Sequence, residues 1–304
     1  MLRPTGLIAA TFTPMHDDGR LWLERIGDVV DHLVDRGIDG LYVCGSTGEG
    51  PLLSGAERRA VAEAYVRAAR GRLPVIVQVG HTSLVEASEL AAHAQAVGAD
   101  AISATPPTYF KPAGLDGVVD AMAIVAAGAP ELPFFYYHIP SMTGVPVDVS
   151  ALMPRAAERV PTLAGVKFSA PTTHEFATLD LERFQVLFGA DEMLLAGILA
   201  GAHGAVGSTY NLIPAPYRAA MAALEQGDLV AARAHQRLAT RIVMRLVRDR
   251  PIPFLKAAMA LTGLGVGPTR APLTAPTAAE FAALREDLDA AGYLSAFRAD
   301  AVGA

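Results

Sequence analysis

Leu163-Ala164-Gly165-Val166-Lys167-Phe168-Ser169-Ala170 is a short apolar run with one lysine near its C-terminal end. Such a run suits a β-strand buried on both faces. The chain holds three lysines against twenty-two arginines. The other two sit in settings that look less buried. Lys111 lies in a Pro-flanked loop, Tyr109-Phe110-Lys111-Pro112, and Lys256 falls in a helical pattern near the C-terminus. An apolar strand strips solvent from an ammonium group and favours the free amine. A free amine near neutral pH is what Schiff-base chemistry on a carbonyl substrate requires. The alternative for Lys167 is a structural role, paired with a buried carboxylate or standing at a strand mouth.

Working outward, short β-like runs alternate with longer helix-like ones. Strands are predicted at 6–14, 40–45, 74–80, 101–106, 133–139, 163–169, 184–189 and 204–208. The clearest helices between them are 23–36, 55–70, 84–97, 115–127 and 192–201. Eight apolar strands, each followed by a helix, predict a parallel sheet covered by helices, and at that count closure into a (β/α)8 TIM barrel. Beyond about Pro216 the strands stop. The segments 219–224, 229–248, 253–261 and 277–291 predict a C-terminal helical extension, so the chain divides into a barrel at 1–215 and an extension at 216–304. Gly263-Leu264-Gly265-Val266-Gly267 has no preceding strand to make it a dinucleotide site and reads as a helix break.

Composition narrows the function classes. At 304 residues, 52% hydrophobic and 18% charged, the chain has ample material for a core. A net charge of −6 argues against a nucleic-acid surface, which needs clustered Lys and Arg. The single cysteine, Cys44, excludes a disulfide framework and a Cys-based zinc site; in its apolar strand it reads as an inert core thiol. The eight histidines show no metal-binding helical spacing. No segment has the length and freedom from charge of a membrane span. A cytoplasmic protein without a membrane partner is expected.

The alternation also places the polar motifs. Gly45-Ser46-Thr47-Gly48-Glu49, Tyr136-Tyr137-His138-Ile139-Pro140, Lys167, Gly189-Ala190-Asp191-Glu192 and Gly207-Ser208-Thr209 all fall at C-terminal strand ends. That is the face on which barrel enzymes carry their sites. The Gly-Ser-Thr-Gly turn offers N–H groups and hydroxyls to a carboxylate, or else is an ordinary helix cap. Tyr137, one strand before Lys167, is a core tyrosine or, hydrogen-bonded to Ser46, a proton carrier. Asp191 and Glu192 either cap a helix or grip substrate hydroxyls.

Together these residues resemble the dihydrodipicolinate synthase / N-acetylneuraminate lyase superfamily of Schiff-base pyruvate aldolases. The likeness runs over the whole chain, from Leu7–Pro14 through the Gly-Ser-Thr-Gly-Glu turn, Pro107–Pro112, Tyr137–Pro140 and Gly165-Val166-Lys167 to Pro251-Ile252-Pro253. The resemblance implies that Lys167 forms an imine with a 2-oxo acid, that Tyr137 moves the proton of the C4 hydroxyl, and that Ser46 relays it. It further implies that Ser46 and Thr47 bind the pyruvoyl carboxylate, and that Tyr109 reaches a neighbouring subunit's site in a homotetramer. No cofactor is implied, because the imine replaces a metal. The synthase branch carries an arginine two residues after the Tyr-x-x-Pro proline, where this chain has Met142. Gly189, Asp191, Glu192 and Ser208 are instead similar to the sialic-acid lyase pattern, in which such groups hold a polyhydroxy tail. Ser169 stands near the lysine where a threonine is common, and His138 where many lyases have asparagine. The implied reaction is cleavage of N-acetylneuraminate or another polyhydroxy 2-oxo acid. The alternatives are a 2-keto-3-deoxy sugar acid aldolase, a dihydrodipicolinate synthase, and a non-catalytic ligand-binding regulator.

Overall fold

A computed structural model describes residues 3–247 and 250–298. Eight parallel strands close into a barrel in sequence order. They are β1 (Gly6–Ala10), β2 (Gly40–Val43), β3 (Val75–Gln78), β4 (Ala101–Ala104), β5 (Phe134–His138), β6 (Leu163–Phe168), β7 (Gln185–Phe188) and β8 (Gly204–Gly207). Every predicted strand is present. All eight end earlier than expected, where the chain leaves the ladder for the turns.

The helices between strands are α1 (Ile26–Asp35), α2 (Gly55–Ala69), α3 (Leu84–Ala96), α4 (Gly114–Ala127), α5 (Pro140–Thr143), α6 (Val149–Ala156), α7 (His174–Ala177) and α8 (Leu194–Leu199). After β8 come α9 (Pro214–Glu225), α10 (Leu229–Leu246), α11 (Pro251–Ala258) and α12 (Ala278–Ala290). Helix starts follow capping chemistry. Ser54 and Glu57 form a reciprocal capping box at α2, and Thr277 and Glu280 do so at α12. The helix expected at 192–201 is a 3₁₀ turn over Asp191–Met193 followed by α8. The expected end of the 229–248 helix includes Arg248, which lies outside the described residues, as do residues 299–304 of the extension.

Alternation along the strands sorts their side chains into two layers. Ile8, Tyr42, Ile76, Phe135, Tyr137, Leu187 and Val206 pack together inside the barrel. Outward residues such as Leu7, Val43, Val77, Phe134 and Phe188 pack against the helices. That outer core is continuous with Ile242 of α10 and Leu284 and Leu288 of α12. The boundary expected at 215 falls within the first turn of α9. Among the described residues no helix is long and apolar enough to cross a membrane.

Candidate active site

Lys167 and Tyr137 are register partners on adjacent strands, so both side chains point to the same face. The face is the barrel interior, near its C-terminal mouth. A register shift between Phe134 and Phe135 sets this pairing. Lys167 is only 4% exposed. Its Nζ stands 3.8 Å from the Tyr137 ring centroid and 5.3 Å from that of Tyr42, and donates a 3.0 Å hydrogen bond to Ser169 Oγ. Burial pushes the Tyr137 phenol up, but the Lys167 charge and polar contacts with Lys167, Ser46 and Ser169 outweigh it. The phenol ends below its ordinary value. A phenol so placed gives up its proton more readily than one in water.

These groups open onto a cavity of about 620 Å³, within the range of small-molecule sites. One wall is the turn after β2, with Ser46 and Thr47. Thr47 Oγ1 and Ser208 Oγ lie 2.6 Å apart and link the β2 and β8 turns. Another wall is Gly189 with Asp191. Asp191 is buried, and its Oδ2 accepts the N–H of Thr209 at 2.9 Å and the Thr209 hydroxyl at 2.6 Å. Desolvation is the leading influence on this carboxyl and raises it to about 6; Glu192 adds to the rise, while Thr209 and Lys167 oppose it. The opposite side is closed by Met142 and by Arg250–Pro253 and Pro272–Thr274 of the extension.

The structure thus brings Lys167, Tyr137, Ser46, Thr47, Ser169, Gly189, Asp191 and Ser208 to one cavity. It does not bring Tyr109 or Glu192 there. Tyr109 sits in the exposed loop after β4, and Glu192 is exposed on the 3₁₀ turn, one residue past Asp191, where the backbone has turned its side chain outward. His138 is the outward neighbour of Tyr137: it stacks on Phe168 at 5.0 Å, away from the cavity, and burial lowers its imidazole.

Lys256 corrects an expectation. It is 1% exposed, more buried than Lys167, because Glu49 reaches it from the β2 turn with a 2.6 Å ion pair. Desolvation lowers Lys256, against the opposing pull of Glu49. Lys111 is exposed, as its loop implied. Cys44 is buried, with its thiol pushed up to about 11 by desolvation, an inert core group. Sequence reasoning passed over Tyr42, whose ring meets Tyr137 edge-on at 5.8 Å and whose hydroxyl donates to Ser103 Oγ at 3.0 Å. Its signal was available as the inward position of the second strand. The lining residues of the extension carried no such positional signal; Pro251-Ile252-Pro253 entered only through the family likeness. No group of three or more metal-ligating side chains gathers among the described residues.

Comparison with known proteins agrees with this geometry. Residues 3–291 match the model of the Dihydrodipicolinate synthetase family. The N-acetylneuraminate lyase of Rattus norvegicus is 39% identical over 298 residues, covering 95% of this chain and 93% of that protein. Among solved structures, the N-acetylneuraminate lyase of Proteus mirabilis superposes with a TM-score of 0.92 at 35% identity, over 96% of this chain and all of the other (100%). A catalytic lysine mutant of the Ruminococcus gnavus sialic acid aldolase superposes with a TM-score of 0.89 at 28% identity, over 96% of this chain and 95% of that one. The barrel, its buried lysine and tyrosine, and a match over nearly the full length leave one assignment: the chain belongs to the dihydrodipicolinate synthetase family.

Proposed function

We propose that this protein is a Schiff-base lyase that cleaves N-acetylneuraminate to pyruvate and N-acetylmannosamine. The observation that carries the reading is the pairing of Lys167 with Tyr137 at one register position, Nζ 3.8 Å from the phenol ring, beneath a hydroxyl-lined cavity. In this mechanism the Lys167 amine attacks the C2 ketone and water leaves, giving an iminium. Ionised Tyr137 takes the C4 hydroxyl proton, with Ser46 relaying it; the C3–C4 bond breaks and its electron pair passes into the iminium as an enamine. The aldehyde departs, C3 is protonated, and water releases pyruvate from Lys167. Ser46 and Thr47 bind the pyruvoyl carboxylate. Gly189, Asp191 and Ser208 face the sugar tail.

Met142, on the cavity wall where the synthase branch has an arginine, favours a neutral polyol over a second substrate carboxylate. So does the Asp191 carboxylate, which would repel an anion and accept hydroxyl protons. We further propose a cytoplasmic homotetramer in which Tyr109 completes a neighbour's site. Tyr109 is 78% exposed and Phe110 82%, packed edge-on against each other at the mouth side of the barrel.

The test is continuous measurement of pyruvate released from N-acetylneuraminate. Wild type is expected to release it, Lys167→Ala to release none, and Tyr137→Phe to be slowed by roughly 10²–10⁴-fold. Turnover by Lys167→Ala would sink the mechanism. A wild type that traps pyruvate on Lys167 under borohydride but leaves N-acetylneuraminate intact would move the substrate to shorter 2-keto-3-deoxy sugar acids.

A further inference from the structure

The turn that carries Ser46 and Thr47 ends at Glu49, a residue the mechanism does not use. The Glu49 N–H donates to the Ser46 carbonyl at 3.1 Å, and the Gly50 N–H to that of Gly45 at 3.0 Å. Glu49 itself adopts a φ of +56°, a conformation that residues with a Cβ avoid. Gly50 cannot carry a side chain, since a Cβ there would lie 1.9 Å from the Cys44 carbonyl oxygen. The left-handed step turns the Glu49 side chain out of the cavity lining and under the extension. There Oε1 accepts from Lys256 Nζ at 2.6 Å and Oε2 from the Arg270 N–H at 2.7 Å.

Both partners lead back to the cavity. Lys256 belongs to α11, whose first turn, Pro251–Pro253, lines it; Arg270 lies two residues before the lining segment Pro272–Thr274. The Arg270 guanidinium is held in turn by both carboxylate oxygens of Glu57 on α2, at 2.8 Å each. One buried carboxylate therefore joins three wall segments distant in sequence. Burying both ions of the Glu49–Lys256 pair costs desolvation that their attraction barely offsets, so stability alone is a poor reason for the pair. Fixing a geometry is a better one.

We propose that Glu49 is a positioning residue: clamped by Lys256 and the Arg270 N–H, it sets the spacing between the Ser46–Thr47 turn and the two extension segments that close the cavity. It thereby controls how tightly the substrate is held between the carboxylate-binding turn and the closing segments, while supplying no group to the imine chemistry. This rests on the cavity being the sugar-acid site.

The test uses the full-length double variant Glu49→Gln/Lys256→Met, which removes the ion pair at nearly constant volume. It is expected to fold and still to trap pyruvate on Lys167, needing more pyruvate to do so than wild type. Its KM for N-acetylneuraminate is expected to rise about tenfold, the equivalent of about 1.4 kcal/mol of binding. Amide hydrogen exchange is expected to quicken together in 45–48, 251–253 and 272–274. The variant Glu49→Gln/Lys256→Gln, which keeps a neutral hydrogen bond, should recover part of both effects. A folded Gln/Met variant with wild-type KM and wild-type exchange in the three segments overturns the proposal. If that variant does not fold, Glu49→Leu/Lys256→Leu serves the same comparison. The exchange measurement needs no turnover, so it decides the clamp even where wild type traps no pyruvate, a result that would strike the Schiff-base reading instead.

Discussion

A methyl group added to Gly189 would lie 2.0 Å from Ser169 Oγ and 3.2 Å from Lys167 Nζ. Gly189→Ala must therefore push Ser169 aside and break the Lys167–Ser169 hydrogen bond, while the barrel around it is untouched. Displacing reacting groups by about 1 Å costs roughly 10²-fold in rate, so kcat/KM should fall by about that factor with little change in melting temperature. Steady-state kinetics beside a thermal melt checks this, and wild-type kinetics would show that the close approach is not needed. Asp191 gives a second residue-scale expectation. With its carboxyl raised to about 6 by burial, it is an ionised hydroxyl acceptor only above that pH. KM for the sugar acid should rise as pH drops below about 6, and Asp191→Asn should abolish that dependence. The sign for stability is opposite. The folded state binds this proton more tightly than the unfolded chain, so ionisation weakens the fold as pH rises from near 4 through 6. Asp191→Asn should raise the melting temperature more at pH 8 than at pH 5. At this scale the sequence located most of the side chains that the structure gathers at one cavity, because strand-end position is a reliable guide to facing. Glu192 stands outside that cavity, since a turn following a strand does not preserve the two-residue alternation.

Among the elements, strands announced themselves by apolar runs bounded by Gly and Pro, and the longer helices by periodicity and caps. The pieces that went unplaced are short or irregular. α5 has four residues and begins at Pro140, α6 carries Pro154 within it, and α7 again has four residues. Segments of one turn hold too few residues for a period to show. The register of β5 on β6 was likewise invisible. It depends on the irregularity between Phe134 and Phe135, and without it Tyr137 and Lys167 would face opposite sides. Lys256 was misjudged for a related reason: a helical pattern gives a face but not the partner waiting on it. That partner, Glu49, comes from 207 residues away.

For the whole molecule, the exposed Tyr109–Phe110 pair predicts assembly. The chain should elute as a tetramer on size-exclusion chromatography with light scattering. Tyr109→Ser/Phe110→Ser should shift it to smaller species and lower turnover with Lys167 still able to trap pyruvate. A tetramer unaffected by the double substitution would remove these side chains from the interface. The extension is also more than an added layer, since its α11 and the 272–274 segment close the cavity that the barrel opens. Sequence alone determined the barrel and put Lys167, Tyr137 and the polar turns at its C-terminal mouth, because each follows from local period or from position at a strand end. Tertiary structure alone decided which turns converge, how Asp191 is held and desolvated, and how Glu49 joins the extension to the β2 turn. Those depend on closure of the barrel and on contacts between residues far apart in the chain, for which local sequence carries no signal.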